Sequence, residues 1–277
     1  MAVQSHYFGV GSVVSWAEAG VGAVANQSVP GPRYGSRGLE LMREGSSAPQ
    51  ALQRLLSGDD QEAVRQLALL DRHGRVAVHT GARCIREAGH RVADGVSAQA
   101  NIMQRPTVPD AMVEAYLAAP GDLAGRLMAA LEAAEAEGGD LRGRQSAALR
   151  VAGARATDES ALFDLRVEDH EDPLAELSRL VAARRAYRRV DVADELAAGG
   201  DFERAFTEYT AAHESQPDNA ELAFWRGVAL ASSGREDEAR PLLDAAYREN
   251  EGWRELLRRL PAAGLFPDDR ALLDRLV

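Results

Sequence analysis

The side chains able to do chemistry are few and scattered. Gln4, Ser5 and His6 stand together near the start, Asn101 follows SAQA, and Asp140, Arg142, Arg144 and Gln145 crowd the short run GGDLRGRQ. A serine beside a histidine suggests a nucleophile and its base. Neighbours on a strand leave opposite faces, however, so Ser5 and His6 cannot pair along one strand, whereas Gln4 and His6 share a face. Taken alone, His6 reads as a hydrogen-bonded sheet residue. Cys84 and His90 lie in GARCIREAGH, which reads as a loop, and nothing in the sequence depresses the thiol, so Cys84 reads as buried and inert. Asn101 ends an apolar strand, where an oxyanion donor and a plain turn former look identical. The Asp140–Gln145 loop is more informative, because polar groups gathered where a helix hands over to a core strand often line a pocket; a solvated loop with local ion pairs is the alternative.

Composition removes several chemistries. The chain has 277 residues and a single cysteine, which excludes an internal disulfide and a CxxC zinc cluster. All 32 basic residues are arginine, so no lysine is available as a Schiff-base former or phosphate-loop cation. A formal charge of -11 opposes nucleic acid. No run approaches the roughly 18 apolar residues of a membrane span, and a soluble, cytoplasmic protein is expected. GxGxxG in a strand-to-helix setting, GxSxG, HExxH and calcium-loop patterns are absent; no cofactor and no metal are expected.

The elements that must position these residues follow from periodicity. Residues 2–8, 10–16 and 21–27 read as strands in one antiparallel run. Residues 39–43 and 48–56 read as helices, and 64–71 and 75–80 as a hairpin about RHG. Residues 97–102, 146–152 and 162–167 are further strands; 106–117 and 122–137 are helices, the second stopping at Gly138–Gly139. Blocks of strands alternating with helix pairs suggest sheets layered with helices rather than a βαβ sheet. From Pro173 onward the chain reads as helix. There Leu196, Gly200, Ala205, Tyr209 and Ala212 recur as Leu230, Gly234, Ala239, Leu243 and Ala246, each offset by 34 residues, the tetratricopeptide period. Two copies need a neighbour to lean on, either the preceding helix 173–188 or the tail WRELLRRLPAAGLFPDDRALLDRL.

Taken in order, AVQSHYFGVGSVVSWAEAGVGAVANQS, PRYGSRGLELM, HTGARCIREAGH, SAQANIM and GGDLRGRQSAAL resemble the DUF1028 family, grouped with the N-terminal nucleophile (Ntn) hydrolases. The resemblance implies an α+β fold: an Ntn-hydrolase-like αββα sandwich over residues 1–170, followed by an all-α, tetratricopeptide-like domain over 171–277. Through WRELLRRLPAAGLFPDD the second part resembles an extension of some members assigned to peptidoglycan binding. The implied activity is amide hydrolysis of an unknown substrate by a Thr, Ser or Cys heading the first strand, with its own α-amino group as base. It further implies a short Thr-led strand ahead of AVQSHYF, so that the attacking residue is expected outside this sequence and a sheet edge beside β-strand 2–8 is expected to be open. A valine codon read as a start would explain this; a catalytically silent scaffold is the alternative. On this reading Gln4, Ser5 and His6 orient groups and handle protons, Asn101 polarises, and Asp140, Arg144 and Gln145 bind substrate, arginine offering a bidentate fork to a carboxylate. The partner is then a small amide or peptide. In the rival reading the C-terminal helices hold a protein, peptide or glycan partner and the first domain is structural. A homo-oligomer is left open; neither nucleic acid nor membrane is expected.

Overall fold

The computed structural model describes residues 1–31, 33–155 and 162–277. It divides into two compact units, Met1–Val181 and Ala182–Val277. Along the first run β1 (Ala2–Ser5), α1 (Val10–Val14), β2 (Ser15–Glu18), β3 (Gly22–Ser28), α2 (Tyr34–Arg43), α3 (Ala48–Leu56), β4 (Arg65–Asp71), β5 (Val76–Thr80), β6 (Gly89–Ala93), β7 (Val96–Ala100), α4 (Val108–Ala118), α5 (Leu123–Ala136), β8 (Ser146–Val151), β9 (Phe163–Val167) and the start of α6 (Pro173–Ala198). Among the described residues three antiparallel sheets result, ordered β1-β8-β9, β2-β3-β4-β5 and β6-β7.

Strand alternation decides what each sheet face covers. Leu149, Val151, Phe163 and Val167 pack against Met128 and Leu131 of α5 and Leu174, Leu177 and Val181 of α6. Val24, Leu67 and Leu69 pack against Leu39, Leu41 and Met42 of α2 and Ala48, Ala51 and Leu52 of α3. The residues between them in sequence, Ala25 and Ala68, turn the other way and meet Val10, Val14, Met1 and Val3 in a small cluster joining the first sheet to the second.

Three expectations are corrected here. Residues 10–16 are not one strand: Gly9 adopts φ 63, α1 follows, and only then does β2 begin. The valines suggested a strand, but Val10 and Val14 are one helical turn apart and both face the inter-sheet cluster, while a Cβ on Gly11 would lie 2.5 Å from that of Ala148. The single antiparallel run therefore does not form; α1 carries the chain from one sheet to the other, and β1 pairs with β8 instead. His90 is not in a loop but in β6, whose hairpin with β7 turns on Asp94–Gly95, with Gly95 at φ 67. The hairpin about RHG forms as β4 and β5, with Asp71 accepting from the His73 N–H at 2.9 Å and Gly74 at φ 80.

In the second unit α6 ends at Ala198 and α7 (Phe202–Ser215), α8 (Ala220–Ser232), α9 (Glu236–Glu249), α10 (Gly252–Arg259) and α11 (Arg270–Leu276) follow. The repeated positions explain themselves. Gly200 and Gly234 end helices at φ 82 and 80, a conformation that costs other residues more. Ala205, Ala212, Ala239 and Ala246 are all buried. Both the tail and the preceding helix support the two copies. Leu257, Leu260, Phe266, Leu272 and Leu276 enter the cluster of Phe224, Leu243 and Tyr247, and the Tyr247 hydroxyl donates to Leu276 O at 3.1 Å. The Tyr187 hydroxyl of α6 donates to Glu221 at 2.5 Å and accepts from Asn219 Nδ2 at 3.4 Å.

Candidate functional site

β1 is an edge strand, and the parity of its hydrogen bonds decides which groups face outward. The Met1 ammonium donates to Arg150 O at 2.6 Å and the Arg150 N–H returns a bond to Met1 O at 2.8 Å. With Val3 opposite Ala148 and Ser5 opposite Ser146, antiparallel alternation turns the N–H and C=O of Ala2 and Gln4 away from β8. The His6 N–H continues the pattern and donates to Asp140 Oδ2 at 3.3 Å. Met1 to Ser5 all line a cavity of about 300 Å³. Consecutive residues of a strand point to opposite faces, so this wall is the open edge itself. Residues Gly95 to Met103 line the cavity as well, and Val108, Met112 and Val113 of α4 with Leu127 and Leu131 of α5 make it apolar.

Where β1 gives way to Tyr7 the wall becomes polar. The Asp140 carboxylate, its side chain 3 % exposed, accepts from Arg142 Nε at 3.0 Å, from Arg142 Nη2 at 2.7 Å and from the Arg142 N–H at 2.9 Å, besides His6. Burial would raise its pKa, but the guanidinium and the two backbone N–H groups outweigh burial and hold it below the usual carboxylate range. Arg142 Nη2 also reaches Ser5 Oγ at 3.3 Å.

Deeper in, a chain of amides ties β3, β4 and β7 together. Gln66, fully buried, accepts from Gln27 Nε2 at 2.8 Å and Asn101 Nδ2 at 3.0 Å, and its two Nε2 hydrogens are shared among Thr80 Oγ1 at 3.0 Å, Gly89 O at 3.1 Å and Ala100 O at 2.9 Å. Beside Asn101 stands Ile102 at φ 62, a left-handed conformation unusual for a β-branched residue.

Of the residues singled out in the sequence, Gln4, Ser5, Asn101 and Asp140 line the cavity, and Gln4 Nε2 is buried without a hydrogen-bond partner. His6, Arg144 and Gln145 do not line it. His6 Nδ1 lies 3.3 Å from Arg144 O, Arg144 pairs with Glu135 at 2.7 Å and Asp172 at 3.5 Å, and Gln145 Nε2 donates to Asp169 at 3.1 Å. A carboxylate clamp on Arg144 and Gln145 is thus not brought to the cavity. Arg142, named in the GGDLRGRQ loop but given no role there, and Gln27, not singled out in the sequence, do line it. Gln66 supports them from behind, and its signal was available: a glutamine opening onto the apolar run LALL of a predicted strand. Cys84 is buried and its Sγ donates to Arg65 O at 3.3 Å. Among the described residues no three His, Cys, Asp or Glu side chains converge as a metal site, and no helix is long and apolar enough to cross a membrane.

The sequence model of DUF1028, a family of unknown function, matches residues 1–177, and that of a tetratricopeptide repeat matches residues 190–252. The crystal structure of a Silicibacter pomeroyi protein assigned to DUF1028 is similar at TM-score 0.60 and 31% identity, over 65% of this chain and 77% of that one. No functionally curated protein matches the chain.

Proposed function

We propose, for a chain that belongs to the DUF1028 family, that its first unit is an amide hydrolase of the Ntn kind whose attacking hydroxyl is borne on a strand along the open edge of β1, outside residues 1–277. The observation carrying this reading is the edge itself: unpaired Ala2 and Gln4 main-chain groups facing a cavity that ends in Ser5, Asp140 and Arg142. Two antiparallel sheets, each with helices on one face and joined by the Val3, Val10, Ala25 and Ala68 cluster, agree with an αββα sandwich.

A strand that turned directly into Ala2 would run antiparallel to β1. Its first residue would then lie abreast of Ser5 and His6, at the polar end. There a terminal hydroxyl is within reach of its own α-amino group, whose ordinary pKa of about 8 suits proton removal. Asn101 has one amide hydrogen left beyond its bond to Gln66, and Ser5 Oγ is oriented by Arg142. The substrate is a small amide or peptide. Expression from the in-frame codons upstream, beside the same protein with its first Thr changed to Ala, tests this: amide cleavage by the former alone is expected, and equal activity of the two disposes of the reading.

The tetratricopeptide match favours a second reading, in which residues 182–277 hold a peptide or glycan, cell-wall peptides included. Titrating the full chain with muropeptides and a peptide panel checks it; saturable binding that Arg142→Gln leaves unchanged is expected, and no binding across the panel defeats it.

A further inference from the structure

Arg142 lines the cavity with its guanidinium fixed from behind. Nε and Nη2 both bond the buried carboxylate of Asp140, whose loop is itself held by the His6 N–H and the Arg142 N–H, and Nη2 touches Ser5 Oγ. A planar fork held at two of its nitrogens cannot swing, and the third, Nη1, makes none of these bonds. Tyr7, 52% exposed, lines the same cavity three residues of chain from Gln4.

We infer that Arg142 Nη1 donates to the carbonyl oxygen of an uncharged amide, that Tyr7 covers the apolar group beside that carbonyl, and that Asp140 is the positioning residue holding the donor in place. The preference for an uncharged ligand follows from charge. Asp140 already neutralises Arg142, and the other polar side chains of the lining, among them Gln4, Gln27, Gln99 and Asn101, carry no charge. The Met1 amino group, spent on Arg150 O, is held largely uncharged by burial, its pKa pushed down to about 5, so an anion would find no uncompensated cation, and a cation would meet a guanidinium. The inference rests on the hydrolase reading for its reaction: a donor oriented before the substrate arrives meets the oxygen on which negative charge grows, and needs no reorganisation to do so. Arg142 would then be a catalytic residue, and Asp140 would act only through it.

The test is binding to residues 1–277, followed by NMR titration. Three probes separate the contributions: N-acetylphenylalanine amide, the corresponding carboxylate N-acetylphenylalanine, and propylbenzene, which keeps the ring and lacks the carbonyl. The amide is expected to bind most tightly. Arg142→Gln and Asp140→Asn should each weaken amide binding about tenfold, the loss of one hydrogen bond to a charged group, and leave propylbenzene unchanged. Tyr7→Ala should weaken amide and hydrocarbon alike. Loss of propylbenzene as well in Asp140→Asn would mean a collapsed cavity and overturn the positioning role; the Arg142 assignment is then decided by Arg142→Gln. No binding of the amide, an amide preference unchanged in Arg142→Gln, or tighter binding of the carboxylate overturns the assignment. Failure of the Thr-led protein to cleave amides would leave these titrations standing, so the two readings fail separately.

Discussion

Gln66 offers the sharpest test of how the cavity is held open. Changing Gln66→Leu keeps the volume and removes the hub. Gly89 O and Ala100 O lose a donor, and the amide N–H groups of Gln27 and Asn101 lose an acceptor. Gln27 retains Gln99 O at 3.3 Å, and Asn101 borders the cavity, where water reaches it. The carbonyls of Gly89 and Ala100 each keep a partner across the β6–β7 ladder, where Gly89 faces Ala100 in a hydrogen-bonded pair, so at about 0.5–1.5 kcal/mol for each hydrogen bond lost the two cost about 1–3 kcal/mol. Gln66→Glu adds a pH signature. The new carboxyl would face two carbonyl oxygens in a fully buried place, so its folded-state pKa rises above the unfolded value of about 4.3. Stability is then highest below that pH, and falls by about 1.4 kcal/mol for each pH unit until the folded-state pKa is passed. Native-state hydrogen exchange of the Leu67 and Leu69 amides reads both variants within the first unit, free of the second unit's unfolding. A loss below about 1 kcal/mol in Gln66→Leu, or a pH-independent Gln66→Glu, would refute the reasoning.

Asp140→Asn should cost about 1–3 kcal/mol, since it leaves Arg142 without its counter-charge. Because the Asp140 pKa is depressed in the folded state, the stability it contributes is present above the unfolded carboxyl pKa and lost as pH falls through the folded one; the variant's acid limb, followed by circular dichroism, should be flatter. Gly35→Ala should destabilise by about 1–3 kcal/mol, because its Cβ would fall 2.3 Å from the ring of Trp16, and Trp16 fluorescence should shift. In the second unit Leu243→Ala should cost about 2–5 kcal/mol as a fully buried side chain. A Cβ on Gly227 would lie 2.9 Å from Leu243, so Gly227→Ala should be better tolerated with Leu243→Ala than alone; additive losses in a thermal-melt cycle would count against that contact.

Helices and the hairpin with a strong local pattern were readable in advance. Ser47 with Gln50 forms a capping box at α3, Asp122 caps α5, and the 34-residue offset of Gly200 and Gly234 marks two turns. What misled was valine in GVGSVVS: strand propensity is weak beside the packing of Val10 and Val14 on one helical face. The Asp94–Gly95 turn was legible as a hairpin signal but sat among polar residues, because β6 leaves His90, Arg91 and Val92 exposed. At the candidate site the GGDLRGRQ loop was found and its member misjudged. Arg142 and Arg144 are indistinguishable by type and neighbourhood; a two-residue difference in where each leaves the turn sends one to Asp140 and the other to Glu135.

Residue order alone determined the family resemblance, the change from mixed sheet and helix to pure helix near Pro173, the repeat, and the chemistries that a lysine-free chain with one cysteine excludes. Only the tertiary structure decided that β1 pairs with β8 across some 140 residues of chain, that the parity of that pairing turns Ala2 and Gln4 toward a cavity, and that Asp140 fixes Arg142 there. The physical reason is range. Periodicity and turn chemistry act over a few residues and are written in the local sequence. Which edge stays open, and which of two arginines meets a buried carboxylate, depends on contacts between segments far apart in the chain.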